Sequence, residues 1–180
     1  MLPKTAVRVK AEMKRFSIIR YAAFIAELIL CSVMQSIPQL SPEVFGGRPV
    51  LLIPAVMTTA IFMDEVPAVI LAAAGGLLAD SVYSGPMGYY GIMLAVYGYI
   101  VSVLMENYIR TNLLTAMLAA VIGIPVIISG YFLFFYIAQG YSYAGNYYLS
   151  HILPEIIYTL VLVPVFYWIN HWIAVRTMNR

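Results

Sequence analysis

Residues 66–105 read VPAVI LAAAGGLLAD SVYSGPMGYY GIMLAVYGYI VSVLM. Two apolar runs, 66–83 and 87–105, flank Ser84-Gly85-Pro86, and the one charge among them is Asp80. Each run approaches the ~20 residues that an α-helix needs to cross a bilayer's hydrocarbon core. Ser84-Gly85-Pro86 is turn chemistry, so the stretch predicts two membrane helices folded back on each other. Ala72, Gly76 and Asp80, spaced by four, share one face of the first helix. On the second, Gly88, Gly91, Ala95, Gly98 and Ser102 recur at three- and four-residue spacing. Small residues in such stripes let helices approach closely. Asp80 then lies at the end of a tight seam, either satisfying exposed backbone amides or meeting a partner, and the two roles are compatible.

The same reading extends along the whole chain. Of 180 residues, 63% are hydrophobic and 10% charged, and the mean hydropathy is +0.89. That is too little polar material to cover a water-soluble domain, so lipid is the solvent. Apolar runs lie at roughly 17–37, 50–63, 66–83, 87–105, 112–138 and 154–175. The expected fold is one all-α transmembrane domain over residues 1–180, a compact bundle of six transmembrane helices similar in outline to transporter S components. The second run is the shortest, and Pro54 lies within it, so a re-entrant segment is the competing reading there.

Charge placement decides between five and six crossings. Six of the ten Lys and Arg residues fall within the first 20 positions, which marks residues 1–16 as a basic cytoplasmic segment. With six spans, Arg110, Arg176 and Arg180 also fall inside and Arg48 alone falls outside. Both termini are therefore expected in the cytoplasm. A basic segment before an apolar run is also the order of a signal peptide, but this run is too long and no small-residue cleavage site follows, so a retained anchor is expected. The single cysteine, Cys31, excludes an intrachain disulfide and a thiolate metal site.

Several polar residues interrupt the apolar runs. Glu27 falls near the middle of the first, where an ionised carboxylate costs several kcal/mol. It is expected to be protonated or hydrogen-bonded to hydroxyls or amides inside the bundle. Glu155 follows Pro154 and reads as the cap of the last helix. Glu106 has Arg110 four residues later, a helical ion pair. Asp64 and Pro67 read as a cytoplasmic turn and helix start. Residues 139–153 form the longest outside connection, with Tyr141, Tyr143, Tyr147 and Tyr148 at the headgroup level, while Trp168 and Trp172 make the inner aromatic belt.

No H-E-x-x-H, P-loop, serine–histidine–acid set or pair of intramembrane aspartates occurs in the sequence. His151 and His171 are expected on opposite membrane faces. No catalytic, cofactor-binding or metal residue is expected, and no nucleic-acid partner.

The segment from Gly75 to Gly91, a glycine-containing helix ending in Asp80, then the Ser84-Gly85-Pro86 turn and a Gly88-Tyr89-Tyr90-Gly91 helix start, resembles the central signature of the MreD family of bacterial rod shape-determining membrane proteins. The basic N-terminus, Gln35-Ser36 closing the first span and the Pro49-led second span are similar to the same family; Arg48-Pro49 departs from it, since the family usually pairs that proline with an acid. The resemblance implies a non-catalytic scaffold in the bacterial cytoplasmic membrane. Its partners would be MreC, the RodA glycosyltransferase with its penicillin-binding transpeptidase and, indirectly, MreB. Asp80, Gly76, Gly85, Pro86, Gly88, Gly91, Ala95, Gly98 and Glu27 are the candidate residues for packing or partner contact. A different class remains open. Ala22 and Ala26 resemble the alanine patch by which an energy-coupling-factor S component docks to its membrane partner, and such a protein binds a vitamin.

Overall fold

The computed structural model describes residues 4–37, 48–82, 88–109, 111–137 and 144–178. Among them there is no strand. The helices are α1 (Lys4–Ser36), α2 (Leu52–Ile61), α3 (Glu65–Val82), α4 (Tyr89–Asn107), α5 (Leu113–Phe132), α6 (Ala144–Tyr147) and α7 (Leu153–Met178). A π-turn over Leu133–Ile137 prolongs α5, and another over Tyr148–Ile152 joins α6 to α7, so six helical rods result. Five stretches are long and apolar enough to cross a membrane: Ile18–Ser36, Glu65–Val82, Tyr89–Asn107, Leu113–Tyr136 and Gly145–Thr177.

The run at 50–63 departs from the expected spanning helix. Helix α2 has ten residues, about 15 Å at 1.5 Å per residue, half the thickness of the hydrocarbon core. All ten are buried, against 28–39% of the residues in the long apolar stretches. It packs on α1, α3, α4, α5 and α7 and is the centre of the bundle. A helix apolar all round belongs inside, whereas the long helices turn their remaining apolar faces outward to lipid.

A helix that ends inside apolar surroundings needs partners for its terminal amides and carbonyls. Side chains distant in sequence supply them. Val50 N–H donates to Thr159 Oγ1 (3.2 Å), and Leu52 N–H donates to Gln35 Oε1 (3.2 Å). At the other end, Ser102 Oγ of α4 donates to the Met63 carbonyl (2.7 Å). Gln35, expected to close the first span, thus also anchors the start of α2.

Two further expectations change. The connection read over residues 139–153 is helical from Ala144 onward, so Tyr147 and Tyr148 stand on a rod. Tyr147 stacks on Tyr136 (5.1 Å) and His151 (4.6 Å), and Tyr148 shares a hydrogen bond with Ser129 of α5 (2.8 Å); Tyr141 and Tyr143 lie outside the described residues. Glu155, read as a helix cap, sits inside a continuous rod from Gly145 to Thr177. Its backbone carbonyl accepts from Thr159 Oγ1 (2.7 Å). The π-turn over Tyr148–Ile152 runs directly into α7, so the rod passes through Pro154, which has no N–H to donate, instead of beginning there.

Candidate functional site

The α3–α4 hairpin holds most of the candidate residues. A Cβ added at Gly76 would strike the Tyr90 carbonyl, and would come within 2.6 Å of Gly91 Cα. One at Gly98 would lie 2.8 Å from Ala72 Cβ and 3.3 Å from the Ala68 carbonyl oxygen. The two helices therefore touch backbone to backbone along an antiparallel seam, from Gly76 against Gly91 down to Ala68 and Ala72 against Gly98. Gly75, beside Gly76, points the other way. A Cβ there would strike Val56 of α2 and lie 3.4 Å from Leu28 of α1. The glycine pair thus brings α3 close to α4 on one side and to the core helix on the other. Ala95, in the same sequence stripe, is half-buried.

Asp80 ends this seam. It is 5% exposed, and its two oxygens accept three backbone N–H groups. Gly88 N and Gly91 N donate to Oδ2 at 2.9 and 3.1 Å, and Tyr90 N donates to Oδ1 at 3.0 Å. These are amides of the first turn of α4, which have no acceptor within their own helix. A carboxylate near the end of α3 faces the negative end of that helix's dipole, but here it points into the positive end of the next. The acid therefore fastens the two helices into one unit, and both its oxygens are engaged in doing so.

Gly88 is the N-cap of α4 with φ +105° and ψ −14°. This is a backbone region that side chains disfavour, so its glycine has a conformational reason apart from the stripe. A Cβ there would meet nothing within 4 Å. Gly85 and Pro86, with the rest of the turn over residues 83–87, lie outside the described residues, as does Arg110, the expected partner of Glu106.

Tyrosines brace the same end. Tyr89 OH donates to the Ile127 carbonyl of α5 (2.9 Å), and Tyr90 stacks on Tyr131 at 5.4 Å and 14°. The periodicity of small residues pointed to the hairpin but not to this bracing, for which the Gly-Tyr-Tyr-Gly sequence was the available signal.

The remaining candidate, Glu27, stands apart from the hairpin seam, on α1 and 9% exposed. A cavity of about 290 Å³ lies between α4 and α5, lined by residues including Met93, Val96, Tyr97, Ile122 and Val126. Its lining is apolar save for the Tyr97 hydroxyl. Sites that recognise polar ligands place several convergent polar groups. His151 and His171 are twenty residues apart on one continuous rod, about 30 Å, and cannot share a ligand. No group of three or more His, Cys, Asp or Glu that could hold a metal occurs among the described residues.

In comparison with known proteins, the family model for rod shape-determining protein MreD matches residues 15–173. No curated protein and no solved structure matches the chain.

Proposed function

Since the chain belongs to the MreD family of rod shape-determining proteins, we propose that it acts as a non-catalytic scaffold of the bacterial cell-elongation complex in the cytoplasmic membrane. Its contacts are made within the bilayer, with MreC first, then RodA and its penicillin-binding transpeptidase, and MreB indirectly. The observation that carries this reading is the use of Asp80. The acid of the family-like segment spends both oxygens on three amides of its own hairpin, so it shapes a surface instead of reacting. The outward faces are apolar helix surface, such as Ile92, Val96, Ile122 and Val126, each more than half exposed. Such surface meets either lipid or another membrane helix.

Six crossings with both termini cytoplasmic complete the proposal. Three non-helical residues, Arg48 to Val50, at up to ~3.4 Å each, and the ten residues of α2 reach about 25 Å together. Irregular backbone at membrane depth is tolerated where protein encloses it, and Thr159 and Gln35 supply the acceptors that it needs.

Affinity purification of the tagged chain from mild detergent tests the reading. Recovery of MreC or the wall synthases supports it, and weaker recovery with a Gly76→Leu variant, checked for retained folding, would tie the contact to the hairpin. Recovery of an ATPase-linked membrane partner, or of a vitamin in stoichiometric amount, would overturn it.

A further inference from the structure

Helices α4 and α5 do not meet along their length as α3 and α4 do. At one end, Tyr89 lies across Gly130, where an added Cβ would strike its hydroxyl. It donates to the Ile127 carbonyl (2.9 Å), and Tyr90 stacks on Tyr131. At the other end, Val101 and Ala116 pack in one buried cluster with Ile61 and Tyr167. Between the two ends the Tyr97 ring takes the space that a side chain at Gly123 would need. A Cβ there would strike that ring and come within 2.8 Å of Met57 Cε. An aromatic ring thus stands where the glycine would otherwise let the helices close up, and beside it opens the furrow of about 290 Å³. Its rim is Val96, Ile100, Ile122 and Val126, each at least half exposed. The Tyr97 hydroxyl is buried, so the open side presents hydrocarbon alone.

Shape decides what fills such a furrow. In lipid, apolar surface gains little from burial as such and gains dispersion contacts from close fit. From Met93 to Leu104 the furrow runs about 16 Å along α4, at 1.5 Å per residue. Its volume then averages to a section of roughly 18 Å², the girth of one hydrocarbon chain, whereas a helix 10–12 Å across needs roughly 80–110 Å². A docking helix also seeks small residues, as α4 does at Gly76 of α3. Here the rim is branched, and the one glycine in the lining is already covered by a ring. We propose that the α4–α5 furrow is a binding site for one acyl chain of a membrane phospholipid, with the Tyr97 ring on Gly123 as the wedge that keeps it open. The site goes beyond the scaffold reading and does not rest on it.

Native mass spectrometry of the full chain, delipidated in mild detergent and titrated with palmitoyl-oleoyl phosphatidylglycerol, tests the proposal. The wild type should hold one phospholipid per chain at a collision energy that strips the others. Val126→Trp, which lays a ring in the furrow from its rim, should bind at least ten-fold more weakly. Ile92→Trp adds the same ring at a position 67% exposed on α4 but outside the furrow, and should bind as wild type does. Dihexanoyl phosphatidylglycerol, with the same headgroup and short tails, should bind at least ten-fold more weakly than the long-chain lipid. Should Val126→Trp fail to fold, Ile122→Trp, at a rim position 69% exposed, takes its place. Equal binding by wild type and the rim variant would overturn the proposal. So would equal binding of the short-tailed lipid, which would make the headgroup the ligand, or a retained second copy of the chain that the rim variant releases, which would make the furrow an interface. None of these outcomes bears on the recovery of partner proteins by which the scaffold reading is judged.

Discussion

Replacing Asp80 by Ala removes the acceptor of three amides, at 2.9, 3.0 and 3.1 Å. Tyr90 and Gly91 are buried, while Gly88 is half-buried and its N–H can turn to water. Two amides are therefore stranded in an apolar site at about 1–3 kcal/mol each, which gives a loss of about 4 kcal/mol. Asp80→Asn keeps one accepting oxygen. Placed at the Oδ2 position, it retains the Gly88 and Gly91 bonds but turns its NH2 toward Tyr90 N–H, so about 2 kcal/mol is lost. At about 2–4 °C per kcal/mol for a chain of this size, the melting temperature should fall by about 8–16 °C for Ala and about 4–8 °C for Asn. The assay is thermal unfolding in mild detergent, with Glu106→Gln as the exposed-acid control, expected within about 0.5 kcal/mol of wild type. If Asp80→Ala melted with the control while partner recovery collapsed, Asp80 would be a contact residue and not the clasp of its own hairpin.

Gly88→Ala should destabilise by about 1–2 kcal/mol through backbone strain alone, since φ is +105° and no atom lies within 4 Å of the new Cβ; Gly88→Asn should lose less, and equal melting of all three proteins would refute the strain argument. Thr159→Val removes the acceptor of the Val50 amide and should cost about 1–3 kcal/mol. Hydrogen exchange should show faster exchange at the start of α2, and unchanged protection there would mean that the amide has another acceptor.

The helical hairpin was legible because its information is local. Ala72, Gly76 and Asp80 share a face by their spacing, and the close contacts of Gly76 and Gly98 follow that stripe. The amide-satisfying reading of Asp80 was likewise within reach, since the helix that must receive it begins eight residues later. Glu155 was misread for a physical reason. Proline is a strong helix-start signal, but here a π-turn joins the preceding helix to α7 and the rod runs on through it. The length of the 50–63 run admitted either a span or a re-entrant piece, and apolar composition alone does not say whether a helix faces lipid or protein.

Lipid as the solvent, an all-helical chain and a close α3–α4 pair follow from the sequence by itself, because solvent preference and helix periodicity are properties of short windows. Which helix lies at the centre was decided only by tertiary structure. Helix α2 becomes the core because Thr159 and Asn170, more than 100 residues away along the chain, reach Val50 and Thr58. Those partners are chosen by how the rods pack, and an unpaired amide in an apolar interior is too unfavourable for the packed state to leave unanswered.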